Sequence, residues 1–337
     1  MNHSLRFVTL LIGVLGASVA HAGPTLNGSG STFQKAYQET AIDAYRKANP
    51  GVTINYGGGG SGKGRQDLAD MVVDFAGADS PYKDADLAKA KGGDVLYFPV
   101  LVGPITVAFH VDGMTKLQLS PETIGKIFQR DIKKWNDPAI AADNPGAKLP
   151  AADIVVVHRA DGSGTTDNFT KYLVDAARSW KLKSGSTVEW PSDTQAGQGN
   201  SGVAQIVKST AGAIGYVDLS DAKASGLSYA RIKNRAGKFV EPTAETASAA
   251  ANGIDVNDKL LFSAVNASGE TSYPITYQSW VIVYAKQIDA AKGAALKAYL
   301  KYLLGDGQQL LKELDFAPLP RTLQARAMKQ LDKIVLP

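Results

Sequence analysis

Three times in this chain a short turn of glycine, serine and threonine runs straight into a helix-like segment. Gly28-Ser29-Gly30-Ser31-Thr32 precedes "FQKAYQETAIDAYRKA", and Gly162-Ser163-Gly164-Thr165-Thr166 precedes "DNFTKYLVDAA". Between them "GGGGSGKG" (57–64) leaves the strand-like "VTINY" (52–56) and leads into "QDLADMVV" (66–73). The first turn of a helix has unpaired N–H groups and the positive end of the helix dipole. Glycine lets a ligand approach the backbone, and the hydroxyls cap or donate. One such turn is ordinarily only a cap. Three in one chain, one of them adjoining Arg159-x-Asp161, point to an anion held between helix N-termini.

The rest of the chain fits that arrangement. Strand-like segments at 94–111, 152–160, 212–217 and 275–285 alternate with helix-like segments at 120–129, 165–180, 201–209 and 294–314. Alternation of this kind predicts an α/β fold. The helix at 120–129 has a clear start: Ser120 as cap, Pro121 at the first position and Glu122 after it. The basic stretch 321–330 reads as a solvated helix face. Trp135, Trp180, Trp190 and Trp280 read as packing residues, as does His110. His158, beside Arg159, reads as structural too, though it is placed where it could tune a pH response.

Composition narrows the function. The 337 residues are 44% hydrophobic and 20% charged, enough for two domains. A net charge of +4, with no run of five like charges, argues against a nucleic-acid partner. Residues 1–22 have a basic start at Arg6, an apolar stretch from Phe7 to Ala20, and small residues at Ala20 and Ala22. That is the pattern of a signal peptide cut before Gly23. The chain has no cysteine, which rules out disulfides, a lipid-modified cysteine at the cleavage point and a Cys/His zinc site. The expected location is the periplasm. No metal site, cofactor or catalytic residue is expected.

Two motifs invite a wrong turn. Gly57-x-x-x-x-Gly62-Lys63 starts like a nucleotide-binding loop but has Gly64 where Ser or Thr would hold magnesium. Lys63 then reads as a solvated or rim cation. Asp161 is a carboxylate in the middle of a site built for an anion. Asp79, at the polar end of "VDFAGADSPY", taken alone reads equally as a cap for the turn that follows.

Five segments, "GSGSTF", "NYGGGGSGKG", "VDFAGADSPY", "HRADGSGT" and "GQGNSGVAQIVKSTAGAIGYV", occur in an order and at a spacing that resembles the periplasmic phosphate-binding proteins of Pst-type ABC uptake systems. The likeness runs over nearly all of the chain after residue 22, and "RADGSGT" is its most specific part. It implies a two-lobed periplasmic-binding-protein fold (type II) with a hinge and the ligand in the cleft. The expected lobes are 23–104 plus 278–337, and 105–277, with strands crossing near Gly103–His110 and Pro274–Ser279. It also implies the ligand set: Thr32 and Phe33 on the first loop, Ser61 on the second, Asp79 at its strand end, and Arg159, Asp161, Ser163, Gly164 and Thr165 on the third. The second loop departs from the family's usual Gly-Ser-Ser-Gly-Gly, losing a hydroxyl and gaining Lys63.

That resemblance answers the question raised by the carboxylates. Phosphate at neutral pH still carries a proton, and sulfate carries none. A carboxylate facing the ligand accepts a hydrogen bond from the first and repels the second, at a cost of about several kcal/mol. Asp79 is the expected proton acceptor, and Asp161 is expected to orient Arg159 through a salt bridge. The alternative for Arg159–Asp161 is a structural ion pair away from any ligand. The implied partners are inorganic phosphate and the membrane subunits of an ABC permease, with the protein acting as a monomer. The rival functions are a receptor for another oxyanion (arsenate, molybdate or sulfate), an exported phosphatase, or a scaffold that lost its ligand.

Overall fold

The computed structural model describes residues 23–337; the expected signal segment, 1–22, lies outside the described residues. The first three strands are β1 (Thr25–Gly30), β2 (Thr53–Gly58) and β3 (Phe75–Ala78), with helices α1 (Lys35–Ala48) and α2 (Ser61–Ala69) between them. The long β4 (Val95–His110) and helix α3 (Pro121–Phe128) follow. Then come β5 (Val155–Arg159), α4 (Gly164–Ala176), β6 (Gln195–Gly197), α5 (Gly199–Ser209), β7 (Ala213–Asp218) and α6 (Leu219–Ala224). The chain closes with β8 (Thr276–Tyr284), α7 (Ala290–Leu304) and α8 (Arg321–Gln330).

These strands form one sheet in the order β2-β1-β3-β8-β4-β7-β5-β6. β1 is parallel to β2 and β3, while β5 is parallel to β6 and β7. Between the two parallel sets run β4 and β8, antiparallel to each other. β4 pairs with β8 as far as Pro104 and with β7 from Ile105 onward. At the changeover the Ile105 N–H donates to the Ile275 carbonyl at 2.8 Å. The carboxyl ends of the two parallel sets therefore face each other across the middle of the sheet. That is where ligands sit in open α/β sheets.

β4 runs unbroken through Pro99 and Pro104 because its irregularities absorb them. Between Ser279 and Trp280 the register with β8 shifts, leaving Val100 without an opposite residue. Proline is tolerated in a strand at such a bulge. The Val100 carbonyl is satisfied instead by the Gln308 side chain at 2.8 Å.

Helix α4 starts where Ser163 caps it, its hydroxyl accepting from the Thr166 N–H at 3.0 Å. Phe169, Tyr172 and Leu173 then form the buried stripe expected of an amphipathic helix. Some boundaries differ from the sequence reading. The helix expected over 165–180 ends at Ala176. The helix expected over 294–314 stops at Leu304, because Gly305 caps it, and short 3₁₀ turns carry on to Leu314. The helix expected at 66–73 begins earlier, at Ser61, and ends at Ala69, with Met71 in the left-handed region. The basic stretch 321–330 is a helix as expected, and its Leu323 and Ala327 are buried. Strands β1 and β6 have no clear signal in the sequence. Trp135 and Trp280 are buried packing residues. His158 stacks on Trp190 at 5.0 Å, and burial lowers its pKa.

Among the described residues no helix is long and apolar enough to cross a membrane.

Candidate anion-binding site

All three Gly/Ser/Thr turns leave the carboxyl end of a parallel strand. β1 leads through Ser31–Gln34 into α1, β2 through Gly59 and Gly60 into α2, and β5 through Ala160–Ser163 into α4. The second and third loops touch across the gap, where the Gly62 N–H donates to the Gly162 carbonyl at 2.8 Å. Two positions require glycine for this approach. Gly60 has a φ of +89°, and a Cβ there would collide with Asp161. A Cβ on Gly164 would stand 2.6 Å from the Asp79 carboxylate. The structure thus brings Ser61, Asp79, Asp161, Ser163, Gly164 and Thr165 to one place, although they come from opposite halves of the sheet.

Asp79 follows directly on β3 and is 1% exposed. The Ser31 hydroxyl lies 2.6 and 2.7 Å from its two oxygens. Ser279 donates at 2.5 Å and Ser61 at 3.1 Å. Burial raises the pKa of Asp79, and hydrogen bonds from the three serines oppose that shift. An ionised carboxylate has about four acceptor positions. Three hydroxyls leave room for one further donor.

Arg159 ends β5 and is 4% exposed. Its Nε and Nη2 reach the two oxygens of Asp161 at 2.8 and 2.5 Å, a bidentate pair. Its Nη1 reaches Asn200 Oδ1 at 2.6 Å and Thr165 Oγ1 at 3.3 Å. A guanidinium has five N–H donors. Four are used here, and one on Nη2 has no partner among the described residues. Burial opposes the charges of the pair. The interaction wins, so Arg159 stays charged and Asp161 is held below the usual carboxylate range.

The first-loop residues sit at the same place. Thr32 Oγ1 accepts from the Asn200 N–H at 3.3 Å. Phe33 is buried, its ring packed on Tyr277 at 4.0 Å, and its N–H donates to Ser31 Oγ at 3.1 Å. The Tyr277 hydroxyl lies 3.2 Å from Thr165 Oγ1. Gly164 and Thr165 are the first two residues of α4, so their N–H groups have no acceptor within the helix. Beside the cradle a crevice of about 140 Å³ opens between Thr32, Lys35, Glu39, Asp218 and Asp221.

Lys63 does not join the site. It is an exposed residue of α2, and its ammonium pairs with Asp67 at 2.6 Å. Four residues at the cradle lie outside the expected set: Ser31, Asn200, Tyr277 and Ser279. Ser31 and Asn200 fall inside motifs that the sequence displays. Ser279 and Tyr277 lie on β8 with no local mark. A larger open groove lined by Lys116, Gln118, Tyr229 and Arg231 contains no cradle residue.

Comparison with known proteins settles the lineage. A family model for the PBP superfamily domain matches residues 16–306. The phosphate-binding protein PstS of Xylella fastidiosa is 37% identical over 304 residues, covering 88% of this chain and 82% of its own. PstS of Haemophilus influenzae is 34% identical over 322 residues, 93% of each chain. The chain belongs to the PstS family of phosphate-binding proteins. That family is one of binding proteins, not of enzymes. The fold agrees: a high-affinity periplasmic phosphate-binding protein solved with phosphate, PfluDING, superposes with a TM-score of 0.77 at 21% identity, over 91% of this chain and 94% of that one. A substrate-binding protein of a phosphate ABC transporter from Clostridium perfringens superposes with a TM-score of 0.67 at 19% identity, over 88% of this chain and 100% of that one. This chain has an α/β periplasmic-binding-protein fold.

Proposed function

We propose that this protein binds inorganic phosphate in the cradle between Asp79 and Arg159 and delivers it, as a monomer, to an ABC permease. The observation that carries the reading is a buried carboxylate, Asp79, near a buried guanidinium, Arg159, one of whose N–H groups has no partner among the described residues. Asp79 accepts the ligand's remaining proton. Arg159, the Ser163, Thr165 and Thr32 hydroxyls, and the backbone N–H groups of Gly164 and Thr165 supply donors, joined by the Ser61 hydroxyl and the Phe33 N–H where these exchange Asp79 and Ser31 for the ligand. Asp161 orients Arg159. Sulfate has no proton for Asp79, and a site built for that proton can reject it by ~10⁴–10⁵.

The protein is exported by residues 1–22, cut before Gly23, and works in the periplasm. One lobe is 23–104 with 278–337, the other 105–277, and the crossing strands β4 and β8 act as the hinge. The stretch around Leu261 and Phe262 packs on the first lobe, with Phe262 against Trp280 at 5.6 Å.

The test is titration calorimetry of the protein lacking residues 1–22, unfolded and dialysed first to remove carried-over ligand. Phosphate and sulfate are compared at neutral pH for wild type and Asp79→Asn. One-to-one phosphate binding without sulfate heat, and relaxed discrimination in the variant, is the expected result. Wild-type binding of sulfate, or of neither ion, overturns the reading.

A further inference from the structure

Asn200 is fully buried in the first turn of α5, and three of its polar groups are bonded to three different elements. Its Oδ1 accepts from Arg159 Nη1 at 2.6 Å, and its Nδ2 donates to Asp218 Oδ2 at 2.6 Å. Its backbone N–H donates to Thr32 Oγ1 at 3.3 Å. The chemistry fixes the amide's orientation, because only its oxygen can face a guanidinium and only its nitrogen a carboxylate. Asp218 is itself anchored, its other oxygen accepting from the Asp221 N–H at 2.8 Å as the cap of α6.

We infer that Asn200 is a positioning residue for the anion-binding guanidinium, aimed by Asp218 and tied to the opposite loop through Thr32. The inference rests on the reading of Arg159 as a phosphate ligand. Asp161 holds the Nε–Nη2 edge of the guanidinium, which leaves rotation of the plane to be set by Nη1. Asn200 sets it. An amide does this without adding a second negative charge to a cation already paired with Asp161. Burial, and then the neighbouring Asp221, raise the pKa of Asp218 well above the usual carboxylate range. The contact with Thr32 has a further effect. Its oxygen accepts from Asn200, so its hydroxyl proton is left to donate into the cradle.

The charges around Asn200 come from four elements. Arg159 and Asp161 lie at the end of β5, Asp218 and Asp221 at the end of β7 and start of α6, and Lys35 and Glu39 on α1 across the crevice. Asn200→Asp is nearly isosteric, but it sets a carboxylate 2.6 Å from Asp218. Two carboxylates so close share a proton. With the proton held, the pair reproduces the amide; once it is lost, excess negative charge sits behind Arg159.

Calorimetry with inorganic phosphate, for wild type, Asn200→Ala and Asn200→Asp across pH 5.5 to 8.5, tests the inference. Asn200→Ala is expected to weaken binding roughly 10- to 100-fold at every pH, the worth of a hydrogen bond to a charged group. Asn200→Asp is expected to stay within about threefold of wild type at the acid end and to fall at least about tenfold behind it at the alkaline end. A pure packing role gives a ratio to wild type that does not change with pH, and that result overturns the inference. So does Asn200→Ala binding within about twofold of wild type. If Asn200→Ala does not fold, the pH profile of Asn200→Asp decides alone. If wild type binds no phosphate, the reading of Arg159 fails and this inference fails with it.

Discussion

Gly164 and Asp79, from opposite halves of the sheet, are packed so closely that a single methyl group on the glycine would stand 2.6 Å from the carboxylate. Gly164 opens α4, and its φ is not positive, so its own backbone tolerates a side chain. The constraint comes from across the gap, from the Ser61 hydroxyl as well as from Asp79. Gly164→Ala therefore separates two effects. Alanine favours the helix by about 0.5–1 kcal/mol over glycine in a helix interior, and by less at its first residue. In a ligand-free form whose halves stand apart, as the proposed hinge implies, the variant is expected to unfold at or slightly above the wild-type temperature. Its phosphate affinity is expected to fall at least about tenfold, because the two halves cannot close fully. Thermal unfolding and calorimetry on the same sample check this. A variant that binds as wild type does would show that the contact is not needed for binding.

The Arg159–Asp161 pair makes a prediction about stability. Both side chains are almost inaccessible, at 1% and 7% exposure. Removing one partner of a buried pair leaves an uncompensated charge and costs about 3–5 kcal/mol. Asp161→Ala is expected to lower stability to urea by that order at pH 7. The sign of the pH dependence follows from the lowered pKa of Asp161. Its contribution is complete above the ordinary carboxylate value and disappears as pH falls through its depressed folded value. The gap between wild type and variant should therefore narrow in acid. A gap that is constant down to the acid transition would show that the ion pair is not its source.

Lys63 is the residue that sets the second loop apart from the family's usual pattern, and it points away from the cradle to Asp67. Lys63→Ala is expected to leave phosphate affinity within about twofold of wild type, and to cost no more than an exposed i,i+4 pair, about 0.3–0.5 kcal/mol. A larger loss of affinity, measured by calorimetry at two salt concentrations, would place the ammonium near the bound ion.

How much of this is legible in the sequence follows from where each signal lies along the chain. Helix starts are local: Ser163 caps α4 because its hydroxyl reaches an N–H three residues on, and a short motif contains both partners. The Arg159–Asp161 pair is local for the same reason. Ser279 is different. It reaches Asp79 only because β8 pairs with β3 so that Trp280 stands opposite Ala78. That register joins positions 200 apart, and no pattern around Ser279 announces it. Asn200 stands in plain view within "GQGNSGVAQIV", but its role depends on Asp218 and Arg159 arriving from two other strands. The break at Gly305 is hidden because "LLGDGQQLLKEL" keeps a helical apolar spacing through the glycines.

On the proposed function, the cradle bears a cost that phosphate relieves. Asp79 is buried, and burial raises its pKa despite three serine donors. A raised carboxylate pKa means that the folded protein binds this proton more tightly than the unfolded chain. Stability is then greatest while the proton is held, and it falls as pH rises from the ordinary carboxylate value, about 3.9, through the raised folded value. Asp79→Asn has no such proton to lose. Ligand-free wild type is expected to lose ground to Asp79→Asn as pH climbs across that window, by about 1.4 kcal/mol for each pH unit the window spans. Asp218 and Asp221 are also raised by burial, but they are present in both proteins and cancel in the difference. Urea midpoints of the two ligand-free proteins across the window measure it, and a difference that stays flat with pH would show that Asp79 bears no such cost. Phosphate should then reverse the order. A ligand that brings its own proton to Asp79 stabilises the carboxylate where asparagine gains less, so saturating phosphate should raise the unfolding temperature of wild type more than that of Asp79→Asn. Sulfate, with no proton to offer, should produce no such reversal.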